Sequence, residues 1–301
     1  MGKSSRRKQE QRRTGRPRPA TGPAFVARPF AGLPGEADWV ALREVVPAAT
    51  AVVGLAEPYR RPADGDRPAV DEVTVATVLP LAWPALRRSD GSVWVGLQTA
   101  GGSGDASRDV AAALLQALDV EPGTPVQPAG LPAEGPRLQD VLDLDRPLSV
   151  QMHEGFDFWV EDAESLDAQT RESLERANAS AVPTERLTSV DAAYWCRIGD
   201  RTHLRWALPY DEDALLDALA RLHAAGASGL GDGTRYIGAF RALGLLVPVW
   251  DLPPGCASSD VEAPAAAFAR RLADALQRSE PLTYDERRAR AGVVNRQLTL
   301  R

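Results

Sequence analysis

Cysteine, histidine, methionine and lysine are all scarce in this chain of 301 residues. The two cysteines, Cys196 and Cys256, leave one disulfide arithmetically open. Two free thiols in a reducing cytoplasm fit that count better. The histidines are His153, His203 and His223, and no CxxC, HExxH or HxxxH spacing occurs. No metal and no cofactor is therefore expected. No apolar run approaches the roughly 20 residues of a bilayer span. The basic start is followed by no apolar stretch, which excludes a secretory signal. Arg6 stands where N-myristoylation needs Ser or Thr. Lysine is confined to Lys3 and Lys8, and arginine does all other basic work. With abundant Ala, Gly, Pro and Asp, this usage points to a GC-rich, actinobacterial genome.

What is present is ordinary for a folded chain, with 44% hydrophobic and 25% charged residues. The charge is not evenly spread. Residues 1–22 hold Lys3, Arg6, Arg7, Lys8, Arg12, Arg13, Arg16 and Arg18 against Glu10 alone. That segment carries +7 and the remainder −13, for a total of −6. Like-charge blocks repel and stay solvated, so residues 1–24 read as a disordered basic tail. Such a tail suits a polyanion: RNA, the ribosome or DNA. It has no aromatics for stacking on bases. A solubilising role accounts for the same letters.

The pattern beyond the tail is α+β, with antiparallel hairpins packed against helices. A helix is expected from Gly35 to Val46, on the spacing of Trp39, Leu42 and Val46. Strands follow at 51–55, 73–79 and 93–98, with a hairpin turn at Asp90-Gly91. A helix from Ser107 to Leu118 comes next. Residues 121–136 hold five prolines and three glycines. No regular structure is expected there, which makes that stretch a linker or a long loop. Beyond it come a short helix at 138–144, a strand region at 148–160 and a helix at 166–179 with Leu166, Leu174 and Ala177 inward. A hairpin then closes at Gly199-Asp200, and Asp211 caps a helix to Ala225. Leu245 to Trp250 reads as a core strand, with Pro248 placing it at an edge or bulge. A helix at 263–278 precedes a last one capped by Thr283 and Glu286. The subdomains would be 25–120 and 137–301, two similar halves in which a hairpin feeds a helix. The residue identities do not repeat.

Four places could carry chemistry. In His153-Glu154-Gly155-Phe156-Asp157, a strand would put His153 and Asp157 on one face, the pairing an acid–base site needs. A partly exposed strand with packed aromatics gives the same letters. The loop Gly229, Gly231, Gly233 and Arg235 could hold a phosphate or carboxylate, or be a helix stop and turn. Gly101 to Gly104 precedes a helix but only approximates a dinucleotide fingerprint. Cys196 and His203 could meet across their hairpin, as a site or as packed strand residues. Trp195, Trp206 and Tyr194 form either a core pairing or a partner surface.

Three stretches beside the basic start carry a resemblance: Arg28-Pro-Phe-Ala-Gly-Leu-Pro, Leu42-Arg-Glu-Val-Val-Pro-Ala-Ala-Thr-Ala, and Phe240-Arg-Ala-Leu-Gly-Leu-Leu-Val-Pro-Val-Trp-Asp-Leu-Pro. Over residues 28–290 the chain resembles an uncharacterised actinobacterial family, a domain of unknown function. The resemblance implies no catalytic residues. The reading favours a non-enzymatic binding or regulatory protein whose tail contacts a polyanion. An enzyme of unrecognised type and a chaperone-like protein-interaction module, with a protein partner, stand as alternatives.

Overall fold

The computed structural model describes residues 25–295 except residues 66, 100–101, 128–133 and 163–165. The basic segment, and the disorder expected of it, lies outside the described residues.

Helix α1 (Glu36–Glu44) starts where Gly35 takes a left-handed φ of 69°. Its Trp39 and Leu42 are buried, and Pro47 bars its continuation. The first sheet follows: β1 (Ala49–Gly54), β2 (Glu72–Ala76), β3 (Ala85–Arg87), β4 (Val93–Gly96), β5 (Thr124–Val126) and β6 (Ser149–Met152). Their order is β5-β3-β4-β2-β1-β6. The pair β2–β4 is parallel and all other neighbours are antiparallel. Asp90-Gly91 closes the β3–β4 hairpin as expected, with Gly91 at φ 86°.

Strand β5 corrects the expectation that nothing regular survives in 121–136. Pro125 pairs with Leu86 on an edge strand, where a missing N–H costs no ladder bond. Helix α2 (Ala106–Asp119) buries Val110, Leu114 and Leu118 against this sheet. Arg87 is buried too, and donates to the Leu118 and Val120 carbonyls, each at 3.2 Å. It thus meets the negative end of α2. Helix α3 (Leu138–Val141) buries Leu138 and Val141.

Helix α4 (Ala168–Ser180) has no fully buried residue, and Leu174 and Ala177 are half-buried. The second sheet holds β7 (Thr184–Arg186), β8 (Ala193–Ile198), β9 (Arg201–Trp206), β10 (Arg235–Ala242) and β11 (Leu245–Asp251). Its order is β10-β11-β9-β8-β7, all antiparallel. Strand β11 is therefore interior, which corrects the edge expected from Pro248. The bulge lies on β10, between Tyr236 and Gly238. Pro248 itself sits between the Leu208–Leu246 bridge and the ladder to β9 that starts at Val249. A residue without an N–H falls in that gap.

Asp211 caps α5 (Glu212–Ala224) by accepting from the Ala214 amide at 3.0 Å. Helices α6 (Ser258–Leu276) and α7 (Tyr284–Asn295) complete the fold. The Thr283–Glu286 capping box forms, with bonds of 2.7 and 3.3 Å. Alternation along β8 divides two cores. Trp195 turns to α5 and α6 and packs with Trp206, Trp250 and Phe268. Tyr194 turns the other way, into a core shared with Trp39, Leu42 and the first sheet. Trp195 and Trp206 are thus core residues and not an exposed patch. No helix among the described residues is long and apolar enough to cross a membrane.

Candidate functional site

A buried polar cluster joins α1 to the second sheet. Asp38 lies in the first turn of α1, where a carboxylate meets the positive end of the helix. It is buried. Cross-strand partners Arg186 and Tyr194 face it from β7 and β8. Arg186 donates to both Asp38 oxygens at 3.0 Å, and the Tyr194 hydroxyl donates to Oδ1 at 2.5 Å. The Asp38 bonds hold the Arg186 guanidinium above its usual range. Burial, and then the Asp38 charge, push the Tyr194 hydroxyl well up. Beside this cluster opens a cleft of about 600 Å³, walled by Pro34, Leu148, Leu208 and Tyr210. Both Asp38 oxygens are already accepting bonds, so the cluster clamps two elements and offers no free base. Nothing local in the sequence marks it, because its members lie 148 and 156 residues apart.

The segment around His153 and Asp157 is not a strand. Pairing ends at Met152, and a turn leads into a 3-10 helix at Asp157–Trp159. Gly155 sits tight against Asn178, which accepts from the Phe156 amide at 2.7 Å. Face alternation therefore does not relate His153 to Asp157. His153 Nε2 bonds Thr50 Oγ1 at 2.8 Å, and Asp157 accepts from Asn178 at 3.1 Å. Burial lowers the His153 pKa while the Asp157 charge opposes it. The two feel each other electrostatically but are bonded to different partners. Around them runs an aromatic group: Phe158 lies 4.9 Å from His153, and Phe156 stacks on Trp159 at 4.6 Å.

The loop at Gly229, Gly231 and Gly233 is closed on itself. Thr234 accepts from the Leu230 amide at 2.8 Å and donates to Gly231 at 2.7 Å. Arg235 pairs with Asp251 at 2.8 Å. The same carboxylate meets His203 Nδ1 at 3.0 Å. Burial lowers the His203 pKa, with Asp251 opposing. Cys196 and His203 do sit opposite each other across β8 and β9. Burial raises the Cys196 thiol pKa, however, which disfavours a thiolate nucleophile. Among the described residues no group of three or more His, Cys, Asp or Glu could hold a metal ion.

The loop before α2 is also occupied. Ser103 gives its amide to Asp109 at 2.8 Å, and Asp105 accepts from the Arg108 amide at 3.4 Å. The Ser103 and Arg108 amides are thus bonded to carboxylates at the helix start, and Gly101 lies outside the described residues. Lys3, Arg6, Arg7, Lys8, Arg12, Arg13, Arg16 and Arg18 all lie outside the described residues.

A family model described as "Family of unknown function (DUF5926)" matches residues 29–301. The chain belongs to that family. The match spans both sheets and all seven described helices, so the family is defined by the whole fold and not by one half. No curated protein and no solved structure matches the chain.

Proposed function

We propose that this family member is a non-enzymatic binding or regulatory protein of the cytoplasm that contacts a polyanion, such as RNA, the ribosome or DNA, through residues 1–22. One observation carries the reading: +7 on those residues against −13 on the rest. The folded part supports it by contrast. Arg28, Arg137, Arg186, Arg241 and Arg290 are each paired with a carboxylate. The eight bases of the N-terminal segment have one acid among them in sequence. The acidic remainder repels a polyanion, so contact is made by the segment reaching away from it.

The test compares the full chain with a variant in which all eight bases are replaced by Gln. Binding to a single-stranded RNA is measured by fluorescence anisotropy at 50 and 200 mM salt. The wild type is expected to bind at low salt and weaken steeply at high salt, and the variant not to bind. Equal binding by the two proteins would sink the reading.

A further inference from the structure

Not every arginine of the folded part is paired. Arg197, Arg201 and Arg205 lie on the β8–β9 hairpin, and none of them meets a carboxylate among the described residues. Residues 193–206 hold these three bases against Asp200 alone, a charge of +2, within a remainder that carries −13. The flanking chain bonds this hairpin last at Arg197, from Pro183, and at Thr202, from Leu252. The Ile198–Arg201 pair and the Gly199-Asp200 turn therefore project, and residues 197–201 are all exposed. Arg201, His203 and Arg205 alternate along β9 and so share a face. At about 3.4 Å per residue the two arginines stand about 14 Å apart, in a row along the strand. Asp251 lies opposite His203 across the ladder. That carboxylate is already occupied, by His203 at 3.0 Å and Arg235 at 2.8 Å. Burial chiefly lowers the His203 pKa, Asp251 opposes, and the Arg205 and Arg201 charges add to the lowering. Both arginines thus act on the field at His203.

We infer that the arginine row of β9 is a second contact for the phosphates of a single-stranded nucleic acid, made once residues 1–22 have bound the same strand. The inference rests on the polyanion reading and adds a place on the folded part to it. Guanidinium groups without a carboxylate are free to take phosphate oxygens, to which their planar fork is matched. A row along one strand fits successive phosphates of a backbone, where a converged set would fit one small anion. A single strand can bend from the N-terminal segment onto the hairpin. A duplex, with a persistence length of about 150 base pairs, resists that path. The acidic body holds a free strand off, so the hairpin does not recruit one alone. At 0.1 M salt that repulsion is screened beyond about 10 Å. A strand already held by the N-terminal segment is present at an effective concentration on the order of millimolar, and two weak contacts then add to its binding.

The test is fluorescence anisotropy on the full chain, from 50 to 200 mM salt. The probe is a single-stranded RNA of about 40 nucleotides, several times the roughly 4–16 that one such contact covers. Arg201→Gln with Arg205→Gln is expected to flatten the log–log slope by about 1.4, two phosphates at about 0.7 each. Arg270→Gln with Arg288→Gln removes the same charge from exposed positions on α6 and α7. That control is expected to keep the wild-type slope. In nuclear magnetic resonance titrations of the wild type, the His203 pKa is expected to rise when the RNA binds, because phosphates offset the two arginine charges. A wild-type slope in the Arg201 and Arg205 variant, with binding still lost when the eight N-terminal bases become Gln, would overturn this inference alone. So would a His203 pKa that saturating RNA leaves unmoved. Equal flattening in the Arg270 and Arg288 variant would overturn it in favour of net charge. Undiminished binding after the N-terminal replacement would overturn the reading on which it rests.

Discussion

Tyr194 donates its hydroxyl to Asp38 at 2.5 Å across 156 residues of chain. With Arg186 on the same carboxylate, this bond ties α1 to the second sheet in a buried place. Removing one partner of such a set strands the others. Asp38→Ala is expected to destabilise the fold by about 3–5 kcal/mol. Tyr194→Phe removes one bond to a charge and should cost about 1.5–3 kcal/mol. Urea midpoints for both single variants and the double variant check this. Additive losses would show that the two residues do not act on each other.

Glu262 gives a pH test. Desolvation raises its carboxyl, but bonds from Ser189 and Thr188 outweigh that and hold it at about 2. The folded value lies below the ordinary 4.5. The stabilisation is therefore full above about pH 4.5 and is lost as pH falls towards about 2. Glu262→Gln should flatten the part of the acid-unfolding curve in that window. An unchanged acid limb would show that the loop at 188–189 is held by other contacts.

Gly244 tests how the first folded residues dock. It holds φ 80°, and a Cβ there would come within 2.4 Å of the Ala27 carbonyl oxygen and of Arg28. Gly32 has a similar φ of 86° with nothing within 4 Å. Gly32→Ala should cost about 1–2 kcal/mol from backbone conformation alone. Gly244→Ala should cost more, because Ala27 and Arg28 must also move. Equal losses in thermal unfolding would mean that this docking contributes little.

Salt gives a count of the contacts proposed for the N-terminal segment. Each phosphate neutralised on a single strand adds about 0.7 to the log–log slope, so eight bases allow a slope no steeper than about −6. Anisotropy titrations from 50 to 200 mM salt read it. A steeper slope would require arginines of the folded part in the contact.

The parts legible in the sequence are those whose cause is local. Asp211 and the Thr283–Glu286 box were readable because a cap needs only residues three apart. The hairpins at Asp90-Gly91 and Gly199-Asp200 were readable because their turns demand those residues. The stretch at 153–159 was misread as strand because Gly155 and Phe156 answer to Asn178, 22 residues on from Phe156. Strand β5 was missed because proline density argues against a strand unless the strand is known to be an edge.

The sequence by itself determined the α+β class, most element positions, the family and the separation of charge between the first 22 residues and the rest. The family rests on the likeness of whole stretches, and the others follow from composition or from spacing within one element. Only the tertiary structure decided which strands are edges, that β6 joins β1 across about 100 residues, and that Asp38 meets Arg186 and Tyr194. These are contacts between distant segments, where many pairings satisfy the same pattern. Close packing of the two cores selects one of them.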